Sequence, residues 1–179
     1  STPASYFHLL RWQSKAPHHK PLIVFTPKSM LRLKAATSKA ADFTSGYFRP
    51  VISDNTVDPA GVRRILMCAG KITWDLFAGR QKSGREDVAI LRLERLYPMP
   101  GDEIREALAA FPADAELVWV QEEPMNQGAY QYVSINMPEY LDGRKISRVS
   151  RPPSASPATG SHKAHEVEQA EVVAEAIGG

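Results

Sequence analysis

The chain has 179 residues, an apolar fraction of 43%, and 22 lysines and arginines against 20 aspartates and glutamates, which gives a net charge of +2. This length predicts one domain plus an extra segment, and no apolar run approaches the roughly 18 residues of a membrane span. The near-neutral charge argues against nucleic-acid binding, and a single cysteine, Cys68, excludes an internal disulfide and suits a reducing cytoplasm. The start at Ser1, without a methionine, predicts a piece of a longer polypeptide or a processed product.

The first third of the chain predicts one helix, one strand and a linker. Residues 4–15 carry apolar side chains at helical spacing, which indicates a packed helix with His8 partly exposed. Residues 21–26 (PLIVFT) have the composition of a buried strand. The basic residues 28–40 are interpreted as a solvated loop or partner surface, with an anion site as the alternative. Residues 41–61 lose periodicity and collect glycine, proline and aspartate, which predicts a linker.

From Val62 onward, predicted strands alternate with predicted helices. This alternation predicts an α/β fold with three layers, in which a largely parallel sheet is covered by helices on both faces. The connections between parallel strands should be right-handed. The predicted strands are residues 62–68, 87–93, 117–120 and 145–149, and the predicted helices are residues 72–79, 101–111, 126–132 and 162–177.

The segment 117–130 (LVWVQEEPMNQGAY) is the most informative part of the sequence. Adjacent Glu122 and Glu123, followed by a proline, predict that the strand ends before them, because two carboxylates are costly to bury and proline donates no hydrogen bond to a neighbouring strand. Asn126 then caps the next helix in this interpretation. In open α/β sheets ligands bind at such strand ends. The glutamates could act as acid or base if burial raised a pKa, but a structural turn that bonds main chain or an arginine across an interface is favoured.

Other catalytic signatures are missing from the sequence. It contains neither a Gly-x4-Gly-Lys-Ser/Thr phosphate loop nor a Gly-x-Gly-x-x-Gly dinucleotide fingerprint. Cys68 is interpreted as a small buried apolar residue. His162 and His165 could form a zinc pair, but no third ligand is evident, so surface roles are favoured. The residues alone therefore predict a non-catalytic α/β module.

Several motifs occur in the order found in one known family. They are residues 21–29 (PLIVFTPKS), 96–100 (LYPMP), 121–124 (QEEP), 126–129 (NQGA) and 151–160 (RPPSASPATG). Together they resemble the C-terminal part of the thiamin diphosphate-dependent decarboxylase (first) component of the 2-oxoglutarate dehydrogenase complex. The resemblance extends over nearly the whole chain.

The resemblance implies a domain assignment and an activity. Residues 1–50 would finish the preceding pyrimidine-binding domain and its linker, and residues 51–179 would form a transketolase-type C-terminal domain. The parent enzyme would be a homodimer that decarboxylates 2-oxoglutarate oxidatively and transfers succinyl to lipoyl groups in the tricarboxylic acid cycle. Its partners would be dihydrolipoyl succinyltransferase and dihydrolipoyl dehydrogenase, in a bacterial cytoplasm or a mitochondrial matrix, with no nucleic acid or membrane.

The resemblance also implies where the reaction takes place. Thiamin diphosphate and Mg2+ would be bound by residues outside this chain, and the family's catalytic histidines lie upstream of Ser1. No catalytic, cofactor-binding or metal-binding residue is therefore assigned here, and the fragment alone is expected to be inactive. Gly128 is expected in the first turn of a helix that packs close to a neighbouring segment, such as the partner subunit.

One departure from the family concerns an effector. Actinobacterial relatives bind acetyl-CoA through basic residues near the start of the helix after the Pro-x-Pro segment, whereas residues 101–103 here are Gly-Asp-Glu. This argues against acetyl-CoA regulation and leaves Arg11, Lys20 and Arg95 as candidate anion contacts. The alternative function is a stand-alone binding module of the same fold, which presents the acidic turn and the basic segment 28–39 to a partner or nucleotide.

Overall fold

A computed structural model describes residues 2–178 of the chain. The chain divides into two compact units, one that ends at Arg49 and one that begins at Pro50. Among the described residues, no helix combines the length and apolarity needed to cross a membrane.

The first unit begins with the predicted helix, α1 (Pro3–Lys15). Thr2 caps it, because its side chain accepts a hydrogen bond from the main-chain N–H of Ser5. The predicted exposure of His8 is wrong, since only 6% of this residue is accessible. Its Nε2 atom lies 2.8 Å from the carbonyl oxygen of Asp42, which can only accept, so Nε2 is the donor. His8 therefore joins α1 to the segment that contains α2 (Ala41–Thr44).

The predicted strand at residues 21–26 is absent from the first unit. This segment has no regular secondary structure, forms no ladder and is exposed along its whole length. A strand needs a neighbour that accepts and donates main-chain hydrogen bonds, and the described residues provide none here. Two short 3-10 helices follow, Lys28–Arg32 and Lys34–Ala36. The basic side chains of this segment are exposed, as a solvated surface requires.

The second unit contains the predicted α/β sheet. Its five strands have the order β1-β3-β2-β4-β5, and all neighbours are parallel except β1, which pairs antiparallel with β3. The strands are β1 (Val51–Ile52), β2 (Arg64–Cys68), β3 (Val88–Leu93), β4 (Glu116–Pro124) and β5 (Ile146–Arg151). The helices are α3 (Ile72–Ser83), α4 (Gly101–Leu108), α5 (Tyr130–Asn136) and α6 (His162–Ile177), with 3-10 turns at Pro59–Gly61 and Pro138–Tyr140.

Two separate apolar cores cover the two faces of this sheet. One contains Trp119 of β4 together with residues of α4 and α5, and the other contains Val118 of β4 together with residues of α3 and α6. Consecutive strand residues point to opposite faces, so one short strand supplies both cores. Because both faces are covered, the inner strands are nearly continuous apolar runs in the sequence. The predicted three-layer α/β fold is confirmed.

The predicted linker at residues 41–61 is wrong in its second half, which belongs to the sheet. There β1 pairs with β3, and Asp54 is buried with 6% exposure. The Asp54 carboxylate accepts hydrogen bonds from Arg80 and from the main-chain N–H of Ile90, the latter at 3.0 Å. Arg80 also donates to Thr56 Oγ1 at 2.5 Å. A strand of two residues is too short to show an alternating pattern. The surrounding polar, turn-forming residues therefore predicted a linker instead of the pairing between β1 and β3.

Helix α3 continues past its predicted end at Gly79. It ends at Ser83, and Gly84 caps it with a φ of 68°. Gly79 lies inside the helix and faces α6, where an added Cβ would overlap the side chain of Val173. The glycine therefore permits close packing of two helices, which the sequence alone does not distinguish from a helix end.

Candidate functional site at the carboxyl end of strand β4

Strand β4 continues through the predicted acidic turn as far as Pro124. The prediction that it ends before Gln121 is therefore wrong. Glu122 contacts Lys71 at the start of α3, whereas Glu123 lies beside Gly128, so the two carboxylates are separated. Because neither carboxylate is fully buried, the free-energy cost of burying two adjacent charges does not arise.

Glu122 forms an ion pair with Lys71. The Lys71 Nζ and Glu122 Oε1 atoms are 2.8 Å apart, and the two side chains are 28% and 23% exposed. Lys71 follows β2 and Glu122 lies near the end of β4, and the strand order reverses between these two neighbours. Reversals of this kind create the crevice in which open α/β sheets bind ligands. Here the strand ends carry a compensated ion pair, and the partner of Glu122 is a lysine of the same chain rather than the expected arginine.

Glu123 has a different environment. It is half-buried, and its carboxylate has no hydrogen-bond or ion-pair partner among residues 2–178. Gly128 lies beside it with a φ of 67°, and a Cβ at this position would stand 3.0 Å from Glu123 Cβ. Gly128 precedes α5, so its predicted place in the first helical turn is wrong. The close neighbour that requires a small residue is the chain's own strand β4.

Gln121 organises the turn, although it was not among the predicted site residues. This residue is 3% exposed. Its Oε1 accepts from Trp119 Nε1 at 3.0 Å and from the main-chain N–H of Tyr130 at 2.9 Å. Its Nε2 donates to the carbonyl oxygens of Pro124 at 3.0 Å and Gln127 at 2.7 Å. An amide directly after a buried apolar run was the available signal, because buried polar groups are almost always hydrogen-bonded.

Asn126 was predicted to cap a helix, and this is wrong. Its side chain instead bonds the loop that follows β5. Its Oδ1 accepts from the main-chain N–H of Ser154 at 3.0 Å, and its Nδ2 donates to the Ser154 carbonyl at 2.9 Å. Gln127 Nε2 donates to the same carbonyl at 3.0 Å. Helix α5 starts only at Tyr130, after Ala129. The turn at 121–129 and the loop at 151–161 are therefore joined into one turn–loop assembly.

Arg151 bonds both parts of this turn–loop assembly. The sequence singled it out only as part of a motif and predicted no role for it. It is 8% exposed. Its Nε donates to the carbonyl of Glu122 at 2.5 Å, and its second guanidinium nitrogen donates to the carbonyl of Pro157 at 2.8 Å. Its remaining nitrogen lies 3.3 Å from Glu168 Oε2 on α6. The planar guanidinium is suited to several simultaneous contacts of this kind.

Comparison with known proteins assigns the family. The sequence profile described as "2-oxoglutarate dehydrogenase C-terminal" matches residues 37–177. The chain belongs to the 2-oxoglutarate dehydrogenase C-terminal family. The predicted resemblance is confirmed.

Curated relatives agree with this assignment. The chain is 47% identical over 99% of its length to the "Multifunctional 2-oxoglutarate metabolism enzyme" of Mycolicibacterium vanbaalenii, and covers 15% of that protein. It is 48% identical to the protein of the same name in Mycobacterium sp. strain KMS, covering 14% of it. It is 44% identical to the "2-oxoglutarate dehydrogenase E1/E2 component" of Corynebacterium glutamicum, covering 15% of it. The chain thus spans about one seventh of the length of these relatives.

In this member of the 2-oxoglutarate dehydrogenase C-terminal family, the candidate anion contacts lie in both units. Arg95 follows β3, and its guanidinium is 3.5 Å from Glu103 Oε1 at the start of α4. Arg11 and Lys20 are exposed residues of the first unit. An acidic partner already compensates Arg95, which weakens its attraction for a further anion. The role of the three residues as anion contacts stays a prediction.

Two other candidate groups lack the features of a catalytic site. Cys68 is fully buried, as predicted, and burial is the main reason that its pKa rises to about 11, which keeps it a thiol at neutral pH. His162 Nδ1 lies 3.6 Å from Glu166, and within the described part of the chain no group of three or more histidine, cysteine, aspartate or glutamate side chains could hold a metal. The arrangement at the end of β4 mainly bonds main chain and holds a turn.

Proposed function

We propose that this chain is the C-terminal part of the decarboxylase component of a 2-oxoglutarate dehydrogenase complex. That enzyme would decarboxylate 2-oxoglutarate oxidatively and transfer the succinyl group to lipoyl groups. The observation that carries the proposal is the alignment of 99% of the chain with about one seventh of the length of relatives named for 2-oxoglutarate metabolism or 2-oxoglutarate dehydrogenase. A chain that matches almost completely to a small part of such enzymes is best understood as that part.

The proposed role of the second unit is structural. Gln121 and Arg151 make most of their hydrogen bonds to main-chain groups, and the Lys71–Glu122 ion pair is compensated within the chain. Such a network fixes a strand end and two loops. In the proposed enzyme, thiamin diphosphate would supply the electron sink for decarboxylation, with Mg2+ as its accompanying ion. The proposal assigns both to parts of the enzyme outside this chain, as the family resemblance implies.

The first unit supports the proposal that residues 1–50 complete another domain. Phe25 is 95% exposed and Ile23 is 77% exposed, in a run that has the composition of a strand. Exposed β-prone runs are aggregation hazards unless a sheet edge pairs with them. A preceding pyrimidine-binding domain would provide that edge. The proposed homodimer and the dihydrolipoyl succinyltransferase and dihydrolipoyl dehydrogenase partners follow from the enzyme assignment alone.

The test compares two proteins under one assay. The full-length protein that contains this chain, with thiamin diphosphate and Mg2+, should release CO2 from 2-oxoglutarate, whereas residues 1–179 alone should release none above background. Pyruvate serves as the control substrate for the full-length protein. Turnover by residues 1–179 alone would show that catalytic residues lie in this chain, and an inactive full-length protein would remove the assignment.

A further inference from the structure

The turn between the 3-10 helix Pro138–Tyr140 and β5 has an unusual backbone. The main-chain N–H of Arg144 donates to the carbonyl of Leu141 at 2.9 Å. This bond closes a tight turn whose central residues are Asp142 and Gly143, with φ angles of 51° and 80°. Positive φ at both central positions is typical of a type I′ turn, in which aspartate and glycine are favoured. Among residues 2–178, Asp142 is the one residue other than glycine with a positive φ.

The carboxyl group of Asp142 is free to rotate. Its side chain is 81% exposed, and it accepts no hydrogen bond from residues 2–178. Its ion-pair contact is with Arg105, whose Nε atom lies 4.0 Å from Asp142 Oδ1. Arg105 is held elsewhere, because it donates to Asp102 Oδ1 at 3.2 Å and to the carbonyl of Glu139 at 3.1 Å. The Asp142 carboxyl group can therefore turn toward the main chain without breaking a hydrogen bond.

The main-chain nitrogen of Gly143 is equally accessible. Within the described residues, its N–H group has no hydrogen-bond acceptor. Gly143 is exposed, and a Cβ added at this position would meet nothing within 4 Å. Because glycine has no side chain, nothing at residue 143 shields this nitrogen, and the backbone on either side can rotate widely. Closure of the Asp142 side chain onto this nitrogen would form a five-membered ring.

The other aspartates lack this combination of groups. The chain has eight aspartates, and the seven others precede a proline or a residue with a side chain. Asp54 is 6% exposed and its carboxylate is hydrogen-bonded. Asp58 precedes a proline, which has no N–H. Asp114 is exposed, but the N–H that follows it, on Ala115, donates to the carbonyl of Pro112 at 3.1 Å. Asp114 is therefore a reference within the same chain.

We propose that Asp142 is a site of spontaneous isoaspartate formation. The nitrogen of Gly143 attacks the side-chain carboxyl carbon of Asp142, a C–N bond forms, and the acid hydroxyl leaves with the amide proton as water. Water then adds to one carbonyl of the resulting succinimide and breaks its bond to the nitrogen. Cleavage at the main-chain carbonyl leaves the peptide bond on the side-chain carbon, whereas cleavage at the other carbonyl restores aspartate. The reaction releases and consumes one water, so it needs no co-reactant.

The product changes the junction with the edge strand β5. An isoaspartate lengthens the main chain of the turn by one CH2 group and removes the geometry in which Arg144 reaches the Leu141 carbonyl. Arg144 also donates from its side chain to the carbonyl of Ala115 at 2.5 Å. The modification therefore acts on the contact between the start of β5 and the loop before β4. The reaction is independent of the proposed enzymatic function.

The test measures isoaspartate in the full-length protein that contains this chain. The protein is incubated at physiological temperature and neutral pH in water labelled with heavy oxygen, then digested in ordinary water, so that only ring opening during the incubation adds the label. Cleavage after Arg105 and Arg144 releases one peptide, residues 106–144, which contains both Asp142 and Asp114. Electron-transfer fragmentation locates the β-linked residue. We expect labelled isoaspartate at Asp142 to exceed that at Asp114 by about tenfold or more.

Three variants define what the reaction requires. Gly143→Ala places a methyl group beside the attacking nitrogen and should slow isoaspartate formation at Asp142 by about tenfold. Gly84→Ala is the matched control, because Gly84 also has a positive φ and open space around an added Cβ, and it should leave the rate unchanged. Asp142→Asn forms the same ring with loss of ammonia and should react faster. Circular dichroism verifies that each variant is folded.

The outcomes are distinct. Equal labelling at Asp142 and Asp114 overturns the proposal, and so does isoaspartate that appears only when the protein is incubated in urea, because the folded turn would then prevent the attack. Labelled isoaspartate at Asp142 in the folded protein, slowed by Gly143→Ala and unaffected by Gly84→Ala, supports it. CO2 release from 2-oxoglutarate by the same preparation reports on the proposed function separately.

Discussion

Two apolar runs of similar composition end in opposite environments. Residues 22–25 (LIVF) are exposed and unpaired, with Phe25 at 95% exposure, whereas residues 117–120 (LVWV) form the buried start of β4, with Trp119 at 1% exposure. The second run lies between β2 and β5 and pairs with both. The first has no neighbouring strand among the described residues.

The difference shows what composition can and cannot determine. β-Branched and aromatic residues indicate that a segment fits a pleated sheet, but the neighbouring strands decide whether the sheet is present. For residues 117–120 the neighbours lie in this chain, at β2 and β5. For residues 22–25 the proposed neighbour lies in another domain of the full-length enzyme. The following experiments test this contrast, from the largest expected effect to the smallest.

The first prediction separates the two units by truncation. A chain that begins at Pro50 should unfold cooperatively with nearly unchanged stability, because the exposed run contributes nothing to the sheet. A chain that begins at Val57 should lose about 3–5 kcal/mol or more, since removal of Asp54 leaves the buried guanidinium of Arg80 without its carboxylate. Urea unfolding followed by circular dichroism measures both. Equal stability of the two chains would contradict the assignment of residues 50–56 to the sheet.

The second prediction compares single substitutions in the two runs. Trp119→Ala should destabilise residues 1–179 by about 3–5 kcal/mol, because it empties a buried site and leaves Gln121 with one partner fewer. Phe25→Ala should change the stability by less than about 0.5 kcal/mol in the same chain. In the full-length protein Phe25→Ala should become clearly destabilising. An equal effect of Phe25→Ala in both proteins would mean that no other domain covers this run.

The sequence predicted the second unit well and the first less well. Helix α6 was predicted with its observed ends, and β2 to β5 were all found, because their apolar runs pair within the chain. β1 was not predicted, because a strand of two residues is too short to show an alternating apolar pattern. The exposed run 22–25 was predicted as a strand, because a sequence does not state where its neighbour lies.

At the site, the sequence predicted the place but not the contacts. Glu122 and Glu123 do lie at the carboxyl end of an inner strand, yet the important bonds come from Gln121 and Arg151. Side-chain bonds to main chain depend on the path of the loop, and hydropathy does not encode that path. The motifs QEEP, NQGA and RPPSASPATG were recognised separately. Only the structure shows that Asn126 joins the second and third of them.

The third prediction concerns the close approach at Gly128. Gly128→Val should destabilise the chain by about 1–3 kcal/mol more than Gly143→Val, because both glycines have positive φ but only a side chain at 128 meets Glu123. Gly143 has nothing within 4 Å of an added Cβ, so it measures the backbone cost alone. Thermal unfolding of both variants gives the difference. Equal costs would show that the turn can move away from β4.

The smallest expected effect is a pH dependence at the edge of the buried sheet. Arg85 lies 2.6 Å from Asp87 Oδ1, and its hydrogen bonds are the main cause of a lowered pKa at Asp87. A carboxylate with a lowered folded-state pKa stabilises the fold above its unfolded pKa, and this contribution is lost as the pH falls through the folded value. Asp87→Asn should therefore cost a few tenths of a kcal/mol at pH 6, because exposed pairs are weak, and almost nothing well below about pH 4.

The control for this last effect is Glu86→Gln, which removes the same charge one residue away, from an exposed side chain with no partner among the described residues. Its unfolding free energy should follow that of the unmodified chain at both pH values. Urea titrations at pH 6 and pH 3, repeated in 0.5 M salt, give the comparison, and the salt should reduce the Asp87→Asn effect because the pair is one-third exposed. A cost that is independent of pH would contradict a contribution from the Asp87 charge, because the substitution keeps the main-chain carbonyl that accepts from Arg63 and Arg64.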